Sequence, residues 1–306
     1  MASQRLRVAV AQVGSVLFDN DATLARLADS AKQASDAGAQ FVLFPEAFIG
    51  GYPKGFDFGV KLGQRSDAGR DLFARYFAAA IEIDGPEVNQ IKSIASQYGL
   101  HLATGAIERE GNTLYCAMLL FGSDGALLGH RRKLQPTALE RVVWGMGTAK
   151  DIVSWPTELG RVGVAICWEN YMPLFRAALY GQGVQIYCAP TVDDRETWLP
   201  TIRHIAVEGR CFVLSACQYF ANADLPGDLQ SQVTGQQGDV LIRGGSAIVD
   251  PFGRVLAGPV FDRPALLTAE LDLTAIVRGK FDLDVAGHYA RSDLFQLKIT
   301  PPVQDQ

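Results

Sequence analysis

The stretch GRVGVAICWENYMPL, residues 160 to 174, begins as a strand, with Val162, Val164 and Ile166 alternating with small residues. Where a strand should turn, it places Cys167, Trp168, Glu169 and Asn170 in a row. Cys116, Cys188, Cys211 and Cys217 each sit within an apolar run and read as small apolar fillers. Cys167 closes its run and reads as a candidate nucleophile. A free thiol with a pKa of ~8.5 is only slightly ionised at neutral pH, so a base must take its proton or a cation must lower its pKa. The oxyanion or imide nitrogen formed on attack also needs a donor. A glutamate alone would oppose the thiolate by like-charge repulsion; a glutamate base with a lysine cation meets both needs. A cysteine–histidine pair is the commoner alternative, with His101, His130, His204 and His288 as candidates. None of them sits in a papain-like or caspase-like context.

Two further strand ends carry groups of the required kind. Glu46 closes the apolar run of LFPEAF, where a carboxylate must leave the core or find a partner, because an unpaired buried charge is costly. Lys133 ends the basic triplet of GHRRKLQPTALERVVWGMG. Taken singly, Glu46 also reads as a solvent-exposed carboxylate and the triplet as a solvated face. The sequence after Lys133 is less ordinary: Pro136 breaks the run, Glu140 follows, and a loop holding Trp144 between polar groups suggests a pocket wall.

The elements that must position these residues alternate between strand and helix. LRVAVAQ (6–12) reads as a first strand, followed by a helix with Leu24, Leu27, Ala28, Ala31 and Ala34 on one stripe, Asp21 as N-cap and Gly38 at its end. FVLFPE (41–46) reads as a strand buried on both faces. A long loop is expected over 50–70, helices over 71–81 and 86–98, and strands at HLATGAIE and TLYCAMLLFG. Beyond residue 150 the alternation resumes: RVGVAIC, PLFRAALYG, VQIYCAP, LPTIRHIAVEGR and CFVLSAC read as strand, helix, strand, helix, strand. SAIVDPFGRVLA reads as a hairpin turning at 250–253, then come the strand ALLTAELDL and a short helix. So many apolar strands suit two sheets face to face with helices outside, an α/β sandwich. A single doubly wound sheet is the alternative, but no Gly-rich phosphate turn follows the first strand.

The 306 residues, 48% apolar and 20% charged, suit a globular chain, read as one domain over 1–306 with a short tail after about 298. The net charge of -5 argues against a nucleic-acid surface. No stretch approaches the ~18 unbroken apolar residues of a membrane span. The arginines and short apolar run at the N-terminus read as a first strand rather than a signal peptide. Five cysteines without framework spacing fit a reducing, cytoplasmic compartment, and without a CxxC pair no metal site is expected.

With Glu46, Lys133 and Cys167 at three strand ends, the chain resembles the nitrilase superfamily, across nearly its whole length to GHYARSDLFQL at 287–297. FPEAFIGGYP, HRRKLQPTALERVVWGMG and GVAICWENYMPLFRAALYGQGVQIYCAPT resemble that superfamily's glutamate, lysine and nucleophile segments. The Trp-Glu-Asn after the cysteine and the E-R-x-x-W-G pattern resemble its nitrile-hydrolysing branch. The resemblance implies a four-layer αββα sandwich and a Glu46–Lys133–Cys167 triad, with Glu140 as a second glutamate. Cys167 would attack a nitrile to give a thioimidate, Lys133 and the Trp168 amide would hold the negative charge, and Glu46 or Glu140 would deliver protons to the departing nitrogen. Water would then release ammonia and finally the carboxylic acid, with no metal or organic cofactor.

Tyr52, Trp144, Trp168, Pro190, Thr191 and Val192 lie beside these segments and are expected to line the pocket. Trp168 and Glu169 are also expected to pack behind Cys167, Glu169 bonded to backbone or to a basic residue. YCAPTVDDRETW resembles arylacetonitrile-type and plant-type nitrilases, favouring arylaliphatic or aliphatic nitriles over benzonitrile. A superfamily amidase, an N-carbamoyl hydrolase, a cyanide-hydrolysing relative and an inactive scaffold remain alternatives. The resemblance also implies a homodimer or larger homo-oligomer through 172–182 and 196–210. The short stretch after GHYARSD leaves a dimer as well supported as a helical filament.

Overall fold

The computed structural model describes residues 5–233 and 239–300. In chain order the first half contains β1 (Arg5–Gln12), α1 (Asn20–Asp36), β2 (Phe41–Leu43), α2 (Asp67–Ala79), α3 (Pro86–Tyr98), β3 (His101–Glu110), β4 (Thr113–Phe121), β5 (Leu127–Arg132) and the single turn α4 (Glu140–Val143). The second half contains β6 (Ser154–Thr157), β7 (Gly160–Val164), α5 (Pro173–Gly181), β8 (Ile186–Cys188), α6 (Trp198–Gly209), β9 (Phe212–Ser215) and β10 (Tyr219–Ala221). It ends with β11 (Val240–Val249), β12 (Val255–Phe261), β13 (Ala265–Asp272) and α7 (Thr274–Asp282).

The strands form two sheets. One runs β13-β1-β2-β3-β4-β5; the other runs β10-β11-β9-β8-β7-β6, with β12 paired to β11. Each has a parallel centre, β1-β2-β3 and β7-β8-β9, with antiparallel strands outside it. Successive strand residues face opposite ways, and the chain uses both faces. Leu6, Val8, Val10, Phe41 and Leu43 meet Val162, Val164, Ile186, Cys188 and Leu214 between the sheets. Ala9, Ala11 and Val42 turn outward under α1 and α3, against Leu24, Leu27, Ile91 and Ala95. Tyr187 and Val213 turn outward under α5 and α6, against Leu179, Ile202 and Ile205. The layers are therefore α, β, β, α, and the single doubly wound sheet is not formed.

Several boundaries differ from the sequence reading. Asp19, not Asp21, caps α1: its Oδ1 accepts from the Ala22 amide at 2.9 Å, while Asp21 sits inside the first turn. An N-cap must lie outside the helix for its side chain to reach back to those amides. The loop after residue 50 stops earlier than expected, because Ser66 caps α2 by accepting from Gly69. The strand read as RVGVAIC ends at Val164, and Cys167 belongs to the 3-10 turn that follows. β5, LLGHRR, was hidden by its three polar residues, all of which turn out to bind carboxylates.

Glu46 is placed by the close approach of its segment to β3. Gly105 donates to Pro45 O at 3.0 Å and its carbonyl accepts from Phe48 and Ile49. A Cβ on Gly105 would lie 2.3 Å from Pro45 O and 2.5 Å from Ala47 N. Overpacking of this kind typically costs about 1–3 kcal/mol. Gly105→Ala should therefore lower the urea midpoint of unfolding by an amount in that range; a wild-type midpoint would show that the 45–49 segment has slack the packing does not suggest.

Candidate active site

Three segments meet between the sheets at one edge of the core. Glu46 follows β2, fully buried, at a turn where Ala47 takes φ +48. Its carbonyl accepts from the Gln218 side-chain amide at 2.9 Å. Lys133 directly follows β5; its amide donates to Cys116 O at 2.7 Å, and its carbonyl accepts from Gly147 at 2.8 Å. Its buried ammonium donates to Glu46 Oε1 at 2.7 Å and to Glu140 Oε2 at 2.8 Å. Glu140, opening α4, also accepts from the Thr137 amide at 2.6 Å and from the Tyr52 hydroxyl at 2.9 Å.

Two carboxylates thus share one ammonium out of water. Burial raises the Glu46 pKa most, the ion pair with Lys133 opposes it, and Glu140 adds repulsion; the carboxyl is pushed up to about 7. Burial works against the Lys133 ammonium, but Glu46, Cys167 and Glu140 outweigh it and hold the lysine protonated, above its ordinary range. Glu46 Oε2 has no hydrogen-bond partner among the described residues, although the Cys167 thiol is close enough to act on this carboxyl as a donor. Burial, then Glu46, pushes the Cys167 thiol up, while Lys133 and a hydrogen bond from Thr191 pull it down.

Cys167 stands at φ +50, a left-handed conformation that costs a non-glycine residue about 1 kcal/mol or more. Its neighbours hold it there. The Cys167 amide donates to Pro190 O at 2.8 Å, and Asn170 Nδ2 donates to Cys167 O and Ala165 O, both at 2.8 Å. Thr191 Oγ1 donates to the sulfur at 3.3 Å. Glu169 lies behind, paired with the buried Arg131 guanidinium at 2.6 and 2.7 Å. The same carboxylate accepts from the Leu134 and Ile166 amides, each at 2.6 Å.

A family model described as carbon-nitrogen hydrolase matches residues 7–280. The chain belongs to this family. It is 50% identical over 295 residues to an aliphatic nitrilase of Sinorhizobium fredii, covering 96% of both chains. It is 48% identical over 302 residues to the bifunctional nitrilase/nitrile hydratase NIT4B of Lupinus angustifolius, covering 97% of this chain and 86% of that protein. Among solved structures, the C. elegans NitFhit protein aligns with TM-score 0.76 and 21% identity, over 98% of this chain and 68% of that one. A double mutant of the amidase from Nesterenkonia sp. AN1 in complex with acrylamide aligns with TM-score 0.65 and 21% identity, over 92% of this chain and 97% of that one. The likeness to these two structures is one of fold.

In this carbon-nitrogen hydrolase a cleft of about 860 Å³ reaches Cys167, lined beside it by Tyr52, Thr137, Glu140, Trp168 and Val192. Tyr52, Trp168 and Val192 line this cleft. Trp144 does not: it is 4% exposed, stands behind Tyr52 with ring centres 5.7 Å apart, and donates its indole N–H to Tyr76. Pro190 and Thr191 are buried beneath Cys167 and serve it through a carbonyl and a hydroxyl rather than by lining the cleft. Trp168 does not pack behind the cysteine either. It is 41% exposed at the cleft, its indole N–H donating to Asp193 and its ring lying under Arg195. Glu169 alone fills the position behind Cys167. The basic triplet is no solvated face, since Arg131 and Lys133 are fully buried. Cys116 is more than a filler, its sulfur lying 3.8 Å from Glu46 Oε1.

Sequence reasoning missed Arg131, Thr137, Gln218 and the Asp193–Arg195 pair. Only Arg131 left a signal, as a basic residue two positions before Lys133 on the same strand face; Thr137 and the Asp193–Arg195 pair act across turns, and Gln218 reaches Glu46 from 172 residues away.

The raised Glu46 carboxyl has a measurable consequence. Between pH 4.5 and 7 the folded chain keeps a proton that the unfolded chain has lost, so this group makes stability fall as pH rises through that window. The urea midpoint of wild type should drop relative to Glu46→Gln across it, and a protonated-carboxyl infrared band absent from the variant should vanish near pH 7. A midpoint difference that stays flat with pH would contradict the assignment.

Proposed function

We propose that this carbon-nitrogen hydrolase is a nitrilase, converting an organic nitrile to the carboxylic acid and ammonia through a covalent intermediate on Cys167. The observation that carries the reading is Lys133, buried and bonded to both Glu46 and Glu140 beside a cleft that ends on Cys167. Near full-length identity to named nitrilases favours a nitrile over an amide as substrate.

The chemistry follows from the electrostatics. Burial keeps the thiol protonated, so thiolate is not stored in advance; Glu46 takes the proton as sulfur attacks. Negative charge gathers on the nitrile nitrogen, where the Lys133 ammonium and the Trp168 amide receive it. The first amides of a helical turn have no partner within it, and Trp168 is second in its turn. Water adds to the thioimidate, ammonia leaves, and a second water activated by Glu46 releases the acid. Lys133 must be charged when the nitrile nitrogen gathers negative charge, and its two carboxylate partners hold it so.

Two aromatic walls, Tyr52 and Trp168, with Val192, Val240 and Leu241, suit an aliphatic or arylaliphatic nitrile. A second copy of the chain is the partner we assign to the face of α5, where Met172 and Leu174 are exposed beside Tyr171. The five cysteines are all unpaired and buried, in keeping with a cytoplasmic location.

Ammonia release from phenylacetonitrile, benzonitrile, a dinitrile and phenylacetamide tests the reading. Wild type should release ammonia from at least one nitrile. Cys167→Ala and Lys133→Ala should each lose turnover by about 10²-fold or more, and Glu140→Gln should lose most of it while staying folded. The acid limb of kcat/KM should fall with an apparent pKa near 7. Ammonia from the amide alone would move the chain to the amidase branch.

A further inference from the structure

The two oxygens of Glu140 keep different company. Oε2 accepts from Lys133 and from the Thr137 amide; Oε1 accepts, among the described residues, from the Tyr52 hydroxyl alone. The Tyr52 ring is set from behind by Trp144, edge to face, and Trp144 is itself tied to buried Tyr76 at 3.0 Å. Tyr52 and Glu140 also stand on a seam. The cleft that holds Cys167 and a neighbouring cavity of about 400 Å³ that does not reach it share Tyr52, Thr137 and Glu140. Tyr52 and its hydrogen bond to Glu140 therefore belong to the wall between the two spaces.

The step at which this matters comes after water has added to the thioimidate. One carbon then carries a hydroxyl, an amine and the sulfur of Cys167. Collapse makes the C=O bond, and Glu46 takes the hydroxyl proton. If C–N breaks, the nitrogen has taken a proton from Lys133 and leaves as ammonia; Glu46 then returns its proton to Lys133, and a thioester remains. If C–S breaks, sulfur leaves as thiolate and is reprotonated by Glu46, and the free amide departs. Whether Lys133 gives its proton to the amine decides between acid and amide.

We propose that Tyr52 sets this partition, by occupying Glu140 Oε1 and so limiting how strongly Glu140 holds the proton on Lys133. Tyr52 is thus a positioning residue for the product as well as a wall of the cleft. Without its hydroxyl the whole Glu140 charge falls on Lys133 and Thr137, the ammonium proton is held more tightly, and C–S cleavage gains. The inference rests on the nitrilase reading.

The test compares wild type, Tyr52→Phe, Glu140→Gln and the double variant on one nitrile that wild type hydrolyses. Initial rates of acid and of amide are measured together with kcat and KM. Tyr52→Phe should raise the amide-to-acid ratio by about tenfold, the scale of one hydrogen bond to a charged group. In the Glu140→Gln background the same change should leave the ratio unmoved, because the effect passes through that carboxylate. The ratio is read only from working molecules, so partial unfolding does not alter it. A wild-type ratio in Tyr52→Phe, however slow the enzyme, would overturn the inference, as would an equal shift with Glu140 already replaced. Wild type that hydrolyses no nitrile would overturn the nitrilase reading and this inference with it, an outcome distinct from both.

Discussion

One ammonium has to serve two carboxylates in a place without water. Lys133 lies between Glu46 and Glu140, all three buried, and the cluster carries one negative charge too many when every group is ionised. A buried charge is tolerable only when paired and hydrogen-bonded, so something nearby must absorb the excess. Glu140 accepts three hydrogen bonds, whereas Glu46 has an oxygen with none among the described residues. The shortage therefore falls on Glu46, whose pKa burial, with repulsion from Glu140, raises to about 7. A carboxylate left short of donors is what a base next to a thiol has to be: ionised near neutrality, yet willing to take a proton. The imbalance that costs stability is the property the proposed chemistry uses.

The cluster works only if its members hold still, and a second ion pair supplies that. Arg131 and Glu169 are fully buried and nearly saturate one another. Arg131 belongs to β5 in one sheet, and its guanidinium also donates to Val164 O at the end of β7 in the other. Glu169 in turn accepts from Leu134, the residue after Lys133, and from Ile166, the residue before Cys167. One pair thus ties the backbones of Lys133 and Cys167 across the gap between sheets. Orienting groups this rigidly is the usual requirement for a site that must be correct to a fraction of an ångström. It also accounts for the left-handed Cys167, since four hydrogen bonds around its turn hold a conformation the residue would not choose.

Much of this was legible in the residues. The strand–helix alternation, the apolar runs of β2 and β8, the end of α3 and the hairpin at 250–253 follow from periodicity and turn chemistry, and the structure places them within a few residues. Glu46 and Cys167 stand out as polar groups closing apolar runs, whereas Lys133 ends a basic triplet and stands out only through the residues that follow it and the family resemblance. What could not be read were the relations between segments distant in sequence. Trp144 and Tyr52 look alike as aromatic loop residues; only the packing puts one at the cleft and the other behind it. Trp168 lies next to the nucleophile yet faces solvent, because a 3-10 turn sends adjacent side chains to different sides. Arg131 looked like a surface charge because its partner lies 38 residues away, in the 3-10 turn after β7 of the other sheet.

The same reasoning explains why the mouth of the cleft is polar while its floor is so strictly arranged. Asp193 receives the Trp168 indole and the Arg195 guanidinium, and its own amide donates to Thr191 Oγ1, the group bonded to the Cys167 sulfur. Burial alone would raise the Asp193 pKa, but Arg195 and Trp168 donate to the carboxylate and hold it below its usual range. The rim therefore stays charged and hydrogen-bonded across the pH range in which Glu46 titrates, and the orientation of Trp168 over the cleft does not depend on the protonation of the groups beneath it. Floor and mouth differ in kind, one tuned to change its protonation and the other built to keep it. Thr191 is where they meet: a rim that shifted would move the hydroxyl on the sulfur, and with it the thiol whose proton Glu46 has to take.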